Sequence, residues 1–77
     1  MEIEQEIYKT SDLYLASYLK AKNWFVRVER DKGKCFFCFV NDKDLQEDIV
    51  QYFNDGSIGA IRFKNAVQDL KVLIHNV

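Results

Sequence analysis

Seventy-seven residues, 48% hydrophobic and 30% charged, are enough for one folded core and no second one, and that balance is not that of a disordered chain. No apolar run approaches the ~18 residues that cross a bilayer, and a formal net charge of −1 lacks the overall positive excess of most nucleic-acid-binding domains. Two cysteines, no proline and an acidic, alternating start, "MEIEQEIYKT", unlike a signal peptide, predict a cytoplasmic protein with free thiols and no membrane partner.

The near-zero charge hides a segregation. Residues 20–34 carry six basic groups (Lys20, Lys22, Arg27, Arg30, Lys32 and Lys34) against Glu29 and Asp31, whereas residues 41–56 carry Lys43 against Asp42, Asp44, Glu47, Asp48 and Asp55. A solvated face of each sign accounts for this without a ligand.

In chain order, "EIEQEIY" alternates, with Ile3, Gln5 and Ile7 on one side and Glu2, Glu4, Glu6 and Tyr8 on the other. Period two predicts a strand with one wet face, and the outward glutamates would deter edge-to-edge pairing. "TSDLYLASYLKAK" predicts a helix. Thr10 or Ser11 can accept a hydrogen bond from an orphan N–H, and Asp12 puts negative charge at the positive helix end. Tyr14, Leu15, Tyr18, Leu19 and Ala21 fill one broad side, with Ser17 and Lys20 opposite, a pattern suited to packing across a sheet.

"NWFVRVERDKGKCFFCFVN" predicts a β-hairpin. A three-residue Asp31-Lys32-Gly33 loop, with Gly33 left-handed as a bulge, pairs Arg30 with Lys34. It then sets Val28 opposite Phe36, Val26 opposite Cys38 and Trp24 opposite Val40, six residues that read as the core face. The other face holds Glu29 with Cys35, Arg27 with Phe37 and Phe25 with Phe39. A two-residue loop would slip this register by one, while leaving the two sets of side chains within each strand intact.

"NDKDLQEDIVQYFNDG" predicts a second helix, with Asn41 as N-cap, Asp44 completing a carboxylate variant of the capping box, and Gly56 as the stop. Its apolar stripe is Leu45, Ile49, Tyr52 and Phe53. "AIRFKNAVQDLKVLIHN" predicts a third, with Phe63, Val67, Leu70 and Ile74 in a row and Ala66 and Leu73 widening it. The chain therefore reads as one α+β domain over residues 1–77, in the order β-α-β-β-α-α. An N-terminal strand and the hairpin of residues 24–40 form a small sheet packed with three helices.

The chemistry-bearing motifs are few. Cys35 and Cys38 make a C-x-x-C, but on a strand two residues three apart point to opposite faces, so they cannot share a metal. No second pair exists, and His75, at the end of the last helix, suits the negative end of the helix dipole better than general-base work. With no Gly-rich phosphate loop either, the expectation is a non-enzyme without metal or cofactor. Against the RNA-recognition pattern K/R-G-F/Y-G/A-F-V-x-F/Y, Lys32, Gly33, Phe36 and Phe39 match, while Lys34, Cys35 and Phe37 do not. Glu2, Glu4 and Glu6 would also stand on a surface meant for phosphates.

"YKTSDLYLASYL", "VRVERDKGKCFFCF" and "IRFKNAVQDLKVLI" together resemble a family of short bacterial and phage-associated proteins catalogued only as a domain of unknown function. The resemblance covers most of the chain from Tyr8 onward and implies no activity or catalytic residue. It does imply that Asp12, Tyr14 and Tyr18 recur in the first helix, where helix capping and hydrogen-bonded core hydroxyls would explain them.

The functional expectation is a protein-interaction module. Phe25, Phe37 and Phe39, framed by Arg27 and Glu29, form an aromatic sheet face that needs a cover: the third helix, a second copy of the chain, or another protein. In a twofold dimer Arg27 of one copy could meet Glu29 of the other. The alternative is a nucleic-acid-binding module that uses the basic hairpin residues Arg27, Arg30, Lys32 and Lys34.

Overall fold

The computed structural model describes residues 6–76. Their elements are β1 (Ile7–Thr10), α1 (Leu13–Ala21), β2 (Arg27–Asp31), β3 (Lys34–Val40), α2 (Lys43–Phe53) and α3 (Ala60–His75). The α+β class and the β-α-β-β-α-α order match the sequence reading. Of the expected first strand, residues 2–5 lie outside the described residues, and β1 runs on to Thr10, past the anticipated helix start. Three strands make one antiparallel sheet in the order β1-β3-β2. Since β1 and β2 each oppose β3, they run in the same direction with β3 between them, and α1 is the crossover that joins them.

The hairpin turns more tightly than expected. Asp31 pairs with Lys34, leaving a two-residue loop in which Lys32 (φ 51°) and Gly33 (φ 81°) are both left-handed, as a type I′ turn requires. A lysine tolerates that conformation at some cost; glycine takes it freely. The register is therefore one residue away from the three-residue-loop reading: Val28 faces Phe37, Glu29 faces Phe36 and Arg27 faces Cys38. On β2 the expected core set stands, because Val26 and Val28 pack against the core. On β3 the two faces are exchanged.

That exchange decides where the aromatics go. Phe37 and Phe39 are each 1% exposed and share one cluster with Leu15, Ala16, Tyr18 and Leu19 of α1, Leu45 and Ile49 of α2, and Leu70 of α3. The helices are their cover, and the aromatic sheet face proposed from sequence does not exist as a surface. Phe36, expected in the core, is half-buried opposite Glu29. Cys38 is buried, but between Lys9 and Arg27 in the ladder rather than under helices.

The helices begin and end on devices the sequence only partly signalled. Asp12, not Thr10 or Ser11, caps α1, accepting from the N–H groups of Tyr14 and Leu15 at 3.0 and 3.2 Å, while Thr10 Oγ1 accepts from the Asp12 N–H. Asp42, not Asn41, caps α2 through the Leu45 N–H at 2.8 Å; Asn41 instead bonds Glu6 and Gln46. Both helices close with a left-handed residue after the C-cap and a bond from the next N–H back to the last turn: Asn23 (φ 76°) with Trp24 N–H to Leu19 O, and Asp55 (φ 60°) with Gly56 N–H to Gln51 O. These are Schellman-type ends. Asp55, rather than Gly56, takes the left-handed position.

Helix α1 is covered nearly all round. Ser17, expected on the wet side, is fully buried and donates to Leu13 O at 2.7 Å, whereas Tyr14 is exposed. The half-buried Asp48, expected to be merely solvated, accepts from the Trp24 indole N–H at 2.7 Å, which ties the α1–β2 connection to α2.

The register makes a sharp contrast testable. Phe37→Ala should lower unfolding free energy by roughly 3–5 kcal/mol, a large share of the roughly 4–11 kcal/mol that a domain of this size commands. Phe36→Ala should cost only about 1–2 kcal/mol. Chemical denaturation measures both, and the reverse ranking would place β3 with its other face inward.

Candidate functional site: an aromatic cleft at the helical end

The residues expected to form an interface are not brought together. Phe37 and Phe39 lie in the core. Phe25 is 83% exposed but lies in the α1–β2 connection beside Leu73 of α3, where the two line a shallow hollow with Lys20, Asn23, Trp24 and Val26. Only Arg27 and Glu29 remain on the sheet surface away from the helices, and there they pair within the chain. The Glu29 carboxylate meets Lys9 Nζ at 2.9 Å and Arg27 at 2.8 Å.

The Lys9 hydrogen bond and charge, followed by those of Arg27, hold the Glu29 carboxyl below its ordinary pKa, and the same contact raises that of Lys9. The contribution is present at neutral pH. It disappears as pH falls through the depressed Glu29 value or rises through the elevated Lys9 value. Both groups are solvated, so it is small. Cys38 lies beneath this trio, and burial, followed by the nearby Glu29 charge, pushes its thiol up, away from thiolate chemistry. Cys35 and Cys38 are free thiols on opposite faces of β3.

The residues of the nucleic-acid alternative are also dispersed. Arg27 is engaged with Glu29, Lys34 stands 5.7 Å from the Phe36 ring centroid, and Lys32 is in the turn. Arg30 reaches toward the carbonyl of Ile74 at the end of α3.

A different constellation forms where α1, the end of α2 and the start of α3 meet. An open recess of about 340 Å³ is lined by Tyr18, Tyr52, Asp55, Gly56, Ile58, Ala60 and Phe63. Rings flank it in series: Tyr14 stacks on Phe63 (centroids 6.4 Å apart), Tyr18 tilts against Tyr52 (5.4 Å), and Tyr52 meets the edge of Phe53 (5.1 Å). Tyr14 and Phe53, in contact with the lining residues Phe63 and Tyr52, are 58% and 68% exposed, an arrangement that leaves apolar area in water beside a recess.

Tyr18 is the anomaly in this cleft. The residue is 2% exposed, yet its hydroxyl has no hydrogen-bond partner among the described residues, at odds with the expected hydrogen-bonded core hydroxyl. A buried polar group left unpaired costs about 1–3 kcal/mol. The neighbouring buried hydroxyl of Ser17 is satisfied, so the fold can partner such a group. Gly56 makes the placement possible: a Cβ there would run into the Tyr18 hydroxyl and the Gln51 carbonyl. Burial, and after it the charge of Asp12, raises the Tyr52 phenol pKa. Asp12, Tyr14 and Tyr18, the helix residues singled out in the sequence, are thus all beside the cleft. Tyr52, Gly56 and Phe63 were read as stripe or stop residues, and only tertiary structure joins them to it.

A small antiparallel α+β domain with an aromatic recess at its helical end is the class this geometry defines. The family model for a domain of unknown function (DUF5659) matches residues 5–76, and the chain belongs to that family. No curated protein and no solved structure matches it.

The unpaired hydroxyl predicts an unusual mutational sign. Tyr18→Phe should raise unfolding free energy by about 1 kcal/mol, because it removes a desolvated group and no hydrogen bond. Thermal and chemical denaturation read this directly; a loss of 1 kcal/mol or more would mean that the hydroxyl is partnered in the folded protein.

Proposed function

We propose that this domain is a non-catalytic, cytoplasmic protein-interaction module and that the aromatic cleft at its helical end is the contact surface. The observation that carries the proposal lies in two ring pairs, Tyr14 with Phe63 and Tyr52 with Phe53, each of which joins a residue lining the recess to an exposed aromatic. Large exposed aromatics around a concavity are the composition of interface hot spots, whereas isolated exposed apolar residues need no explanation. This reading moves the interface away from the sheet, where Arg27 and Glu29 satisfy each other and the aromatics are internal. What supports a non-catalytic role is the Cys38 thiol, which is buried and held in its protonated form.

The test uses a partner captured from native lysate, identified, and then purified. Tyr14→Ser and Phe53→Ser, both at exposed positions, should leave the fold intact by circular dichroism and weaken that partner's binding at least tenfold together. Arg27→Ala with Lys34→Ala should leave it unchanged. Full-strength binding by the aromatic double variant would overturn the proposal. Binding that depends on Arg27, Lys32 and Lys34 and falls steeply with salt would establish the nucleic-acid alternative instead.

A further inference from the structure

The cleft's own chemistry restricts what enters it. Its lining includes Tyr18, Tyr52 and Phe63, and among the described residues its one charged member is Asp55, with no lysine or arginine. Aromatic faces carry negative electrostatic potential and attract cations. The Tyr18 hydroxyl is sealed against Gly56, so its ring rather than its oxygen is what the recess offers. The Asp12 carboxylate lies close enough to Tyr52 to act on its phenol. One ammonium is already drawn to this system, since Lys22 Nζ stands 5.5 Å from the Tyr18 ring centroid. The first turn of α3 has no side-chain cap and would favour an anion, but Asp55, on the same wall as Ala60, already supplies negative charge there.

We infer that the cleft receives a single cationic side chain, arginine or lysine, projecting from a partner protein. Its aliphatic stem lies along Ile58 and Phe63, and its N–H groups face the Tyr18 and Tyr52 rings and the Asp55 carboxylate. The three candidate classes of occupant fare differently. A cation meets aromatic rings and a carboxylate together. An anion meets Asp55 and the field of Asp12. A neutral apolar group gains nothing from the Asp55 carboxylate. A protein rather than a free amine is the source, because Tyr14 and Phe53 extend the apolar surface beside the recess beyond the reach of one small cation. This inference rests on the cleft being the contact surface, as proposed above, and adds the chemistry of what it binds.

Four short peptides separate the possibilities: glycine-flanked arginine, lysine, citrulline and norleucine, titrated into the labelled protein while the amide signals of Gly56 and Ala60 and the ring signals of Tyr52 and Phe63 are followed by NMR. Arginine and lysine peptides should shift these signals saturably, and citrulline, which keeps the shape of arginine without its charge, should bind at least fivefold more weakly. Asp55→Asn, well tolerated at a left-handed position, should weaken the arginine peptide about two- to fivefold. Tyr18→Phe, which removes the sealed hydroxyl and keeps the ring, should leave the affinity of that peptide within about twofold of the original. Equal binding of arginine and citrulline peptides, tighter binding of norleucine, or no response to either cation would each overturn the inference. The two proposals fail separately: a cleft that binds arginine while Tyr14→Ser and Phe53→Ser leave the partner bound removes the interaction surface and keeps the cation site. Loss of the partner with no preference for charge does the opposite.

Discussion

Two successive left-handed residues, Lys32 and Gly33, fix this fold. A two-residue loop allows only one pairing of β2 with β3, and because side chains alternate with a period of two, that pairing decides which half of "KCFFCFV" becomes interior. With Asp31 opposite Lys34, the rings of Phe37 and Phe39 point to the helices and meet Leu15, Leu19, Leu45 and Leu70. One more residue in the loop would have turned β3 over, leaving Cys38 and Phe36 to fill a space shaped for two phenylalanines. The helical layer is therefore seated by the turn, and the packing of α1 over Phe37 and Phe39 sets where Tyr18 meets the recess.

The cleft shows a cost accepted beside a well-satisfied core. Both short helices close through Schellman-type bonds, the Ser17 hydroxyl is bonded, and Trp24 is tied to Asp48 at 2.7 Å. Against that background the unpaired Tyr18 hydroxyl stands out, because Gly56 keeps open the space that any other residue would fill. Destabilised polar groups in otherwise consistent folds concentrate where a sequence serves something besides stability. The neighbouring rings and Asp55 define what that would be: a recess suited to a positively charged group with an apolar stem.

Much of this was legible in the residues. Element order, the three helices, the hairpin and the opposed placement of Cys35 and Cys38 follow from periodicity, β-rich runs and Gly33. The face of β3 was not legible, because "CFFCF" is apolar on both sides and carries no amphipathic signal; turn length alone breaks that symmetry, and Lys32 is a poor advertisement for a left-handed residue. Caps were misplaced by one or two positions because Thr10, Ser11 and Asp12, and likewise Asn41 and Asp42, are all competent N-cap residues. The cleft was out of reach, since Tyr18, Tyr52, Gly56 and Phe63 belong to different helices and ends, and each has an ordinary local role.

Backbone proton contacts across the hairpin test the central claim most directly. In a two-dimensional NOE spectrum the account predicts cross-strand backbone contacts that join Val28 with Phe37 and Arg27 with Cys38. Backbone contacts joining Val28 with Phe36 and Val26 with Cys38 would mean a three-residue loop. Phe37 and Phe39 would then lie on the outer face, and the packing that places Tyr18 at the cleft would be contradicted.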